Sequence, residues 1–476
     1  MSKLKGFIGE TLVYGFANVF SKVFAMLLIP FYTSNLSKVG YSNLIMILSI
    51  FTVISFILAL NSGVFFYFYE WKRKRYQNMI FTTWFYYQLG FALLLGGFLF
   101  FGASWLQDFF VVSPANEMDI INGIRLLPFM FIPYIINITN INYYRIDRKA
   151  KSAVSIVFLE ALFTVIIVVP GLEYYDFGIP EVIIGLLIAR SVVSILFIKT
   201  TLNYIHWKGF SMKILKRLWL FSWPFFVISA SAWITISIDK FIGAEHLTNK
   251  DDIAVLALSM QLCLPIVVVA DMIRTAIGPF IMSIKDDDNA NQTYQQVFDL
   301  SVFSALIVLV LVVIATPMLT FLLADETYMK SIMVIPLVAF ASVLSMVSNQ
   351  FSISFSLVKK NSHLILPTLS GGLIVIISNM LFMKEYGFVV SGVSQALAGV
   401  VMASILFTLG RKVTNLNLNL RNSSFLFLIT AGFIAIVYID MDSILNGNYF
   451  SLFFGGSVCL LLLAFVYLLA FKKSKT

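Results

Sequence analysis

Cysteine is almost missing from this chain: Cys263 and Cys459 are the only two in 476 residues, and each lies in an apolar run. That excludes a disulfide framework and a thiolate metal site and leaves the redox compartment unread. Histidine is nearly as scarce, with His206, His246 and His363 in or beside linkers. No metal cluster and no nucleophile with an imidazole base can be assembled inside a span from these. Charged residues make up only 12% of the sequence, about half the share of an ordinary soluble domain. There is no glycine-rich phosphate loop, so nucleotide hydrolysis on this chain is not expected. No linker is long enough for a soluble catalytic domain, so the chain is read as a transporter without a cofactor and not as an enzyme.

What fills the chain is apolar: 59% of residues, 47 of them phenylalanine, with a mean hydropathy of +0.91. A hydrocarbon core takes about 20 apolar residues per helix. On that measure the spans are predicted at 7–32, 41–69, 79–106, 121–144, 152–170, 181–200, 219–242, 253–280, 297–323, 331–358, 363–383, 387–410, 423–440 and 449–471. The first is too long for a signal segment, is interrupted by Lys22 and has no small-residue cleavage site, so it is expected to stay as a helix. Alternate linkers are basic, among them Lys72 to Arg75, Arg145 with Arg148 and Lys149, Lys213 with Lys216 and Arg217, and Arg411 with Lys412. The others carry acids such as Asp108, Glu173, Asp251, Asp325 and Asp440. The basic linkers are expected to face the cytoplasm, with both termini. The net charge of +9 sits in these topology signals, so nucleic acid is not expected as a partner.

The basic, amphipathic linker from Thr201 to Leu218 falls after six helices and reads as a join between lobes. The fold class expected is an all-α polytopic membrane protein of about fourteen helices, with two six-helix lobes in a parallel repeat plus a C-terminal pair. The boundaries are 1–205, 206–415 and 416–476.

Charges at bilayer depth are the candidate functional residues, because each must face a partner or water. Lys22 shares one helical face with Thr11, Gly15 and Asn18. It either snorkels or closes a structural pair, or it lines a water-filled path that holds an anion. Glu160 and Arg190 fall near the centres of consecutive antiparallel spans and are able to pair directly; Asp271 is able to reach Arg274 three residues on, between Pro265 and Pro279. Arg125 and the pair Asp239 and Lys240 lie nearer the outer surface. Small polar seams run along Thr52, Ser55, Ala59 and Ser62 and along Ser342, Ser345, Asn349, Ser352 and Ser356, which serve close packing or a solute path.

Four stretches carry a family resemblance. They are Ile29 to Tyr41; Leu60 to Gly63 with Phe65 to Glu70; Phe221 to Pro224 continuing to Ser237 to Lys240; and Lys359 to Asn379 with Lys384 to Phe388. In these the chain resembles the polysaccharide (O-antigen-type, lipid-linked oligosaccharide) flippases of the superfamily that also holds multidrug and toxin extruders and the lipid II flippase. The resemblance implies a multidrug-extruder-like fold in a bacterial cytoplasmic membrane. Its cavity would alternate between the two sides and carry a polyprenyl-diphosphate-linked oligosaccharide. It further implies contact with membrane lipid and with other glycan-assembly membrane proteins.

A cation-lined cavity suits a diphosphate, whose charge cannot cross hydrocarbon alone. Lys22 and Arg274 are the first candidates for contacting it, Arg190 and Arg125 the second. Asn18, Glu160, Asp271, Asp239, Lys240 and Asn349 are candidates for polar or ion-coupling roles. An antiporter of cationic drugs is expected to need net acid at depth, and here Glu160 and Asp271 face Lys22, Arg190 and Arg274. A glycan polymerase or ligase would usually need a sizeable outer loop.

Overall fold

Apolar runs of this length satisfy their backbone only internally, and helix is the form that does so within one segment. The computed structural model describes residues 22–59, 64, 67–68, 74–111, 116–147, 149–206, 208–273, 290–357, 360–413 and 418–473, and among them there is no strand. The helices are α1 (22–35), α2 (Lys38–Ala59), α3 (Lys74–Leu106), α4 (Glu117–Ile146), α5 (Ala150–Tyr174), α6 (Ile179–Tyr204) and α7 (Met212–His246). There follow α8 (Asp251–Leu262), α9 (Ala290–Leu323), α10 (Ile335–Leu357), α11 (Ile365–Tyr386), α12 (Val389–Val413), α13 (Arg421–Ile439) and α14 (Phe450–Lys473). Thirteen segments among the described residues are long and apolar enough to cross a membrane. The remaining expected span, 7–32, is described from Lys22 onward as α1.

The protein is therefore a multi-pass membrane protein, and among the described residues its spans lie where the hydropathy placed them. One boundary differs in kind: the eighth span pauses at Cys263, just before Pro265, and resumes as helix over 264–273. Proline lacks the N–H that would continue the ladder.

The chain forms two compact units, residues 1–233 and 234–476. In the first, α4 is the hub and packs against α2, α3, α5 and α6. In the second, α12 lies between α10 and α11, and α13 packs on α14. Lipid is as apolar as leucine, so association rests on close packing and polar contacts. Two glycines show how close: a Cβ on Gly123 would meet Ile47 at 3.0 Å, and one on Gly399 would meet Leu344 at 2.9 Å. Large apolar side chains such as Phe98, Phe101 and Trp105 on α3 and Phe454, Leu461 and Phe465 on α14 point outward, as a lipid-facing surface requires.

Two polar devices fix the loops of the first unit. Asn43 on α2 donates to the Val111 carbonyl at 3.0 Å and accepts from the Val111 N–H at 3.2 Å, fully buried. The carbonyl has a second donor in Asn116, whereas among the described residues Asn43 alone accepts from the N–H. Asn43→Ala is thus expected to orphan one buried donor and lower stability by about 1–3 kcal/mol, readable as an earlier loss of the monodisperse species on heating in detergent. At the other end of α3, the hydroxyls of Thr82 and Thr83 accept from the backbone N–H of His206 and Ser211, both at 3.1 Å. Gly209 lies between them, so close that a Cβ would sit 3.0 Å from the Thr82 methyl.

Candidate functional site

Pro128 and Pro133 both lie inside α4 and remove two donors from its ladder. One turn past the second, Asn137 is almost fully buried and faces α5 and α6. Its amide nitrogen donates to the Glu160 carboxylate at 2.5 Å and to the Arg190 backbone carbonyl at 3.1 Å. Its oxygen accepts from the Ser194 hydroxyl at 3.0 Å. A carboxylate and a carbonyl are both acceptors, so the amide has only this orientation open to it.

Arg190 and Glu160 are half-buried. The guanidinium carbon of Arg190 lies 4.6 Å from the ring centre of Phe51 on α2, a cation–π arrangement. Phe51 is itself stacked on Phe131 at 5.0 Å and meets Tyr134 edge-on at 5.5 Å. The direct Glu160–Arg190 pair that the sequence left open is not formed. Asn137 occupies the carboxylate and the Phe51 face holds the guanidinium. Arg190 Nη1 is buried and has no hydrogen-bond partner among the described residues. A guanidinium with N–H groups to spare, carried on an aromatic platform, is an anion receptor in its chemistry.

Lys22 begins the described part of α1 and is half-buried. That helix packs along α5 through Phe24 against Phe158 at 5.8 Å and through Asn35 to Glu173 at 3.3 Å. Phe158 is two residues before Glu160, and Lys22 is two before Phe24. At 1.5 Å per residue, Lys22 lies about 6 Å along the helix axes from Glu160. Arg125 stands apart from this group, nearer the start of α4, with its guanidinium 5.8 Å from the Phe100 ring and its Nε buried without a partner among the described residues. Asn18 and Arg274 fall outside the described residues, so the pairing of Asp271 with Arg274 does too. Asp271 is half-buried on the eighth span.

In the second unit Asp239 and Lys240 form a closed pair. Their side chains are 0% and 4% exposed. The Lys240 ammonium reaches the Asp239 Oδ1 at 3.1 Å, the Ile236 carbonyl at 3.0 Å and the Met260 sulfur at 3.1 Å. The other carboxylate oxygen accepts from the Ser391 hydroxyl and, at 3.2 Å, from Gln395. Every charge-bearing atom is met within the unit. On α10, Ser345 and Asn349 are exposed while Ser348 and Gln350 are buried.

Sequence reasoning did not foresee Phe51, Tyr134 and Ser194 around Arg190, nor Ser391, Gln395 and Met260 around Asp239 and Lys240. A signal existed for the second set, because Ser391, Ser394 and Gln395 recur on one face of α12.

Residues 44–293 match the family described as polysaccharide biosynthesis protein. No curated protein matches the chain significantly. Among solved structures, the chain is similar to the lipid II flippase MurJ in an inward closed conformation, with 14% identity and a TM-score of 0.75 over 96% of this chain and 97% of that one. It is similar to an inward-facing multidrug resistance transporter of the MATE family in the MOP superfamily, with 13% identity and a TM-score of 0.71 over 84% and 97%. A MOP superfamily transporter from Pyrococcus furiosus, described as having a binding pocket of reverse polarity, shares 15% identity with a TM-score of 0.62 over 86% and 95%. At such identities the likeness is one of fold, and it is the extruder-like helical fold expected from the sequence.

Proposed function

The chain belongs to the polysaccharide biosynthesis protein family, and on that premise we propose that it is a flippase for a polyprenyl-diphosphate-linked oligosaccharide in a bacterial cytoplasmic membrane. The lobes 1–205 and 206–415 would rock about a central cavity, with 416–476 as an added pair and both termini in the cytoplasm. The observation that carries this reading is Arg190: a half-buried guanidinium inside a span, with an unpartnered nitrogen and no carboxylate bound to it. Such a group favours an anionic headgroup over an organic cation. Lys22 and Arg274 are assigned the first contacts with the diphosphate, and Arg190 and Arg125 the second.

The purified chain in sealed vesicles is expected to move a fluorescent lipid-linked oligosaccharide from the inner to the outer leaflet, seen as new accessibility to an added glycosidase. Transport of cationic dyes instead would make the chain a drug antiporter on the same scaffold. Elongation of the sugar within the membrane would make it a polymerase or ligase.

A further inference from the structure

Asn137 has no role in the reading above, yet it makes the contacts that decide what Arg190 is able to bind. Glu160 on α5 and Arg190 on α6 belong to helices that pack side by side, and a carboxylate beside a guanidinium in a water-poor setting joins it in a forked pair by default. Here it does not. The Asn137 amide nitrogen bonds the Glu160 carboxylate and, at 3.1 Å, the Arg190 carbonyl. Its oxygen takes the Ser194 hydroxyl at 3.0 Å. All of its polar atoms are thus committed, and the side chain has no room to swing away because it is 1% exposed.

We propose that Asn137 is a positioning residue that holds the Glu160 carboxylate off the Arg190 guanidinium, so that Arg190 keeps N–H groups free for a phosphate anion. The inference rests on the reading of Arg190 as a contact for the anionic headgroup. Without the amide, Glu160 turns to Arg190 and becomes a built-in competitor for the headgroup. Removing the Glu160 charge cures that defect even when Asn137 is absent.

The test follows the state of Arg190 itself in the purified full-length protein. Phenylglyoxal, a dicarbonyl that attacks accessible guanidinium groups, is added with and without inorganic pyrophosphate, and adduct formation at Arg190 is timed by peptide mass spectrometry. In the unaltered protein the adduct is expected to form and pyrophosphate to slow it. Asn137→Ala is expected to slow labelling about tenfold, the ratio set by roughly one charged hydrogen bond. Asn137→Ala combined with Glu160→Gln is expected to restore it. Asn137→Ser, too short to reach the carboxylate, replaces the alanine variant if that one does not stay monodisperse.

Labelling of Asn137→Ala at the unaltered rate, or a double variant that stays slow, overturns the inference, because a merely structural role for Asn137 gives no rescue by Glu160→Gln. Absence of pyrophosphate protection overturns its anion part. A chain that labels as expected but moves no lipid-linked sugar in vesicles removes the flippase reading and leaves the role of Asn137 standing.

Discussion

Arg190→Glu is expected to reduce lipid-linked oligosaccharide transport at least about a hundredfold while membrane abundance stays the same. Charged hydrogen bonds contribute about 1.5–3 kcal/mol each, so losing two from a phosphate amounts to about 3–6 kcal/mol, or two to four decades. The reversed charge would also stand near Glu160, since their helices pack side by side and one amide, Asn137, bonds both residues, and two carboxylates there repel the incoming diphosphate as well. Arg190→Lys is expected to fall between, because an ammonium keeps the charge but loses the planar fork and the stacking on Phe51. Charge reversal at Lys22 or Arg274 should likewise abolish surface glycan. Unchanged vesicle transport in Arg190→Glu, or normal glycan in both of the others, would remove these residues from the substrate path.

The second large effect is on stability. Lys240→Met leaves the Asp239 carboxylate, fully buried and still held by Ser391 and Gln395, without its cation. Breaking one side of a buried pair costs about 3–5 kcal/mol. Asp239→Asn combined with Lys240→Met removes both charges, keeps an oxygen for Ser391 and Gln395, and is expected to recover most of the loss. The retained monodisperse fraction after heating in detergent reads both variants. A shielded pair also responds little to ionic strength, so the same ranking is expected at low and high salt. A Lys240→Met protein as heat-resistant as the parent would show that the pair contributes nothing.

The fold was legible because the bilayer imposes a length on every helix, and runs such as 181–200 and 297–323 declare themselves by hydropathy alone. The charges at depth were legible for the same reason, since Glu160 and Arg190 stand out against Leu, Ile and Val. Their partners were not. Phe51 beneath Arg190 and Ser391 against Asp239 come from helices distant in sequence, and Asn137 reaches Glu160 from the preceding helix. Each is an ordinary residue in its own segment, and nothing in helical periodicity says which neighbour it will meet. The sequence could therefore offer a Glu160–Arg190 pair as one possibility but could not see the amide inserted between them.

The segment from His206 to Ser211 belongs to the linker, Thr201 to Leu218, that reads in the sequence as a join between lobes, and two neighbouring threonines hold both of its ends to α3, with a glycine pressed between. A strap fastened at two points has no slack to take up. Trypsin should therefore cut slowly after Lys208 despite its exposure, and inserting a few residues there should loosen the buckle and speed the cut.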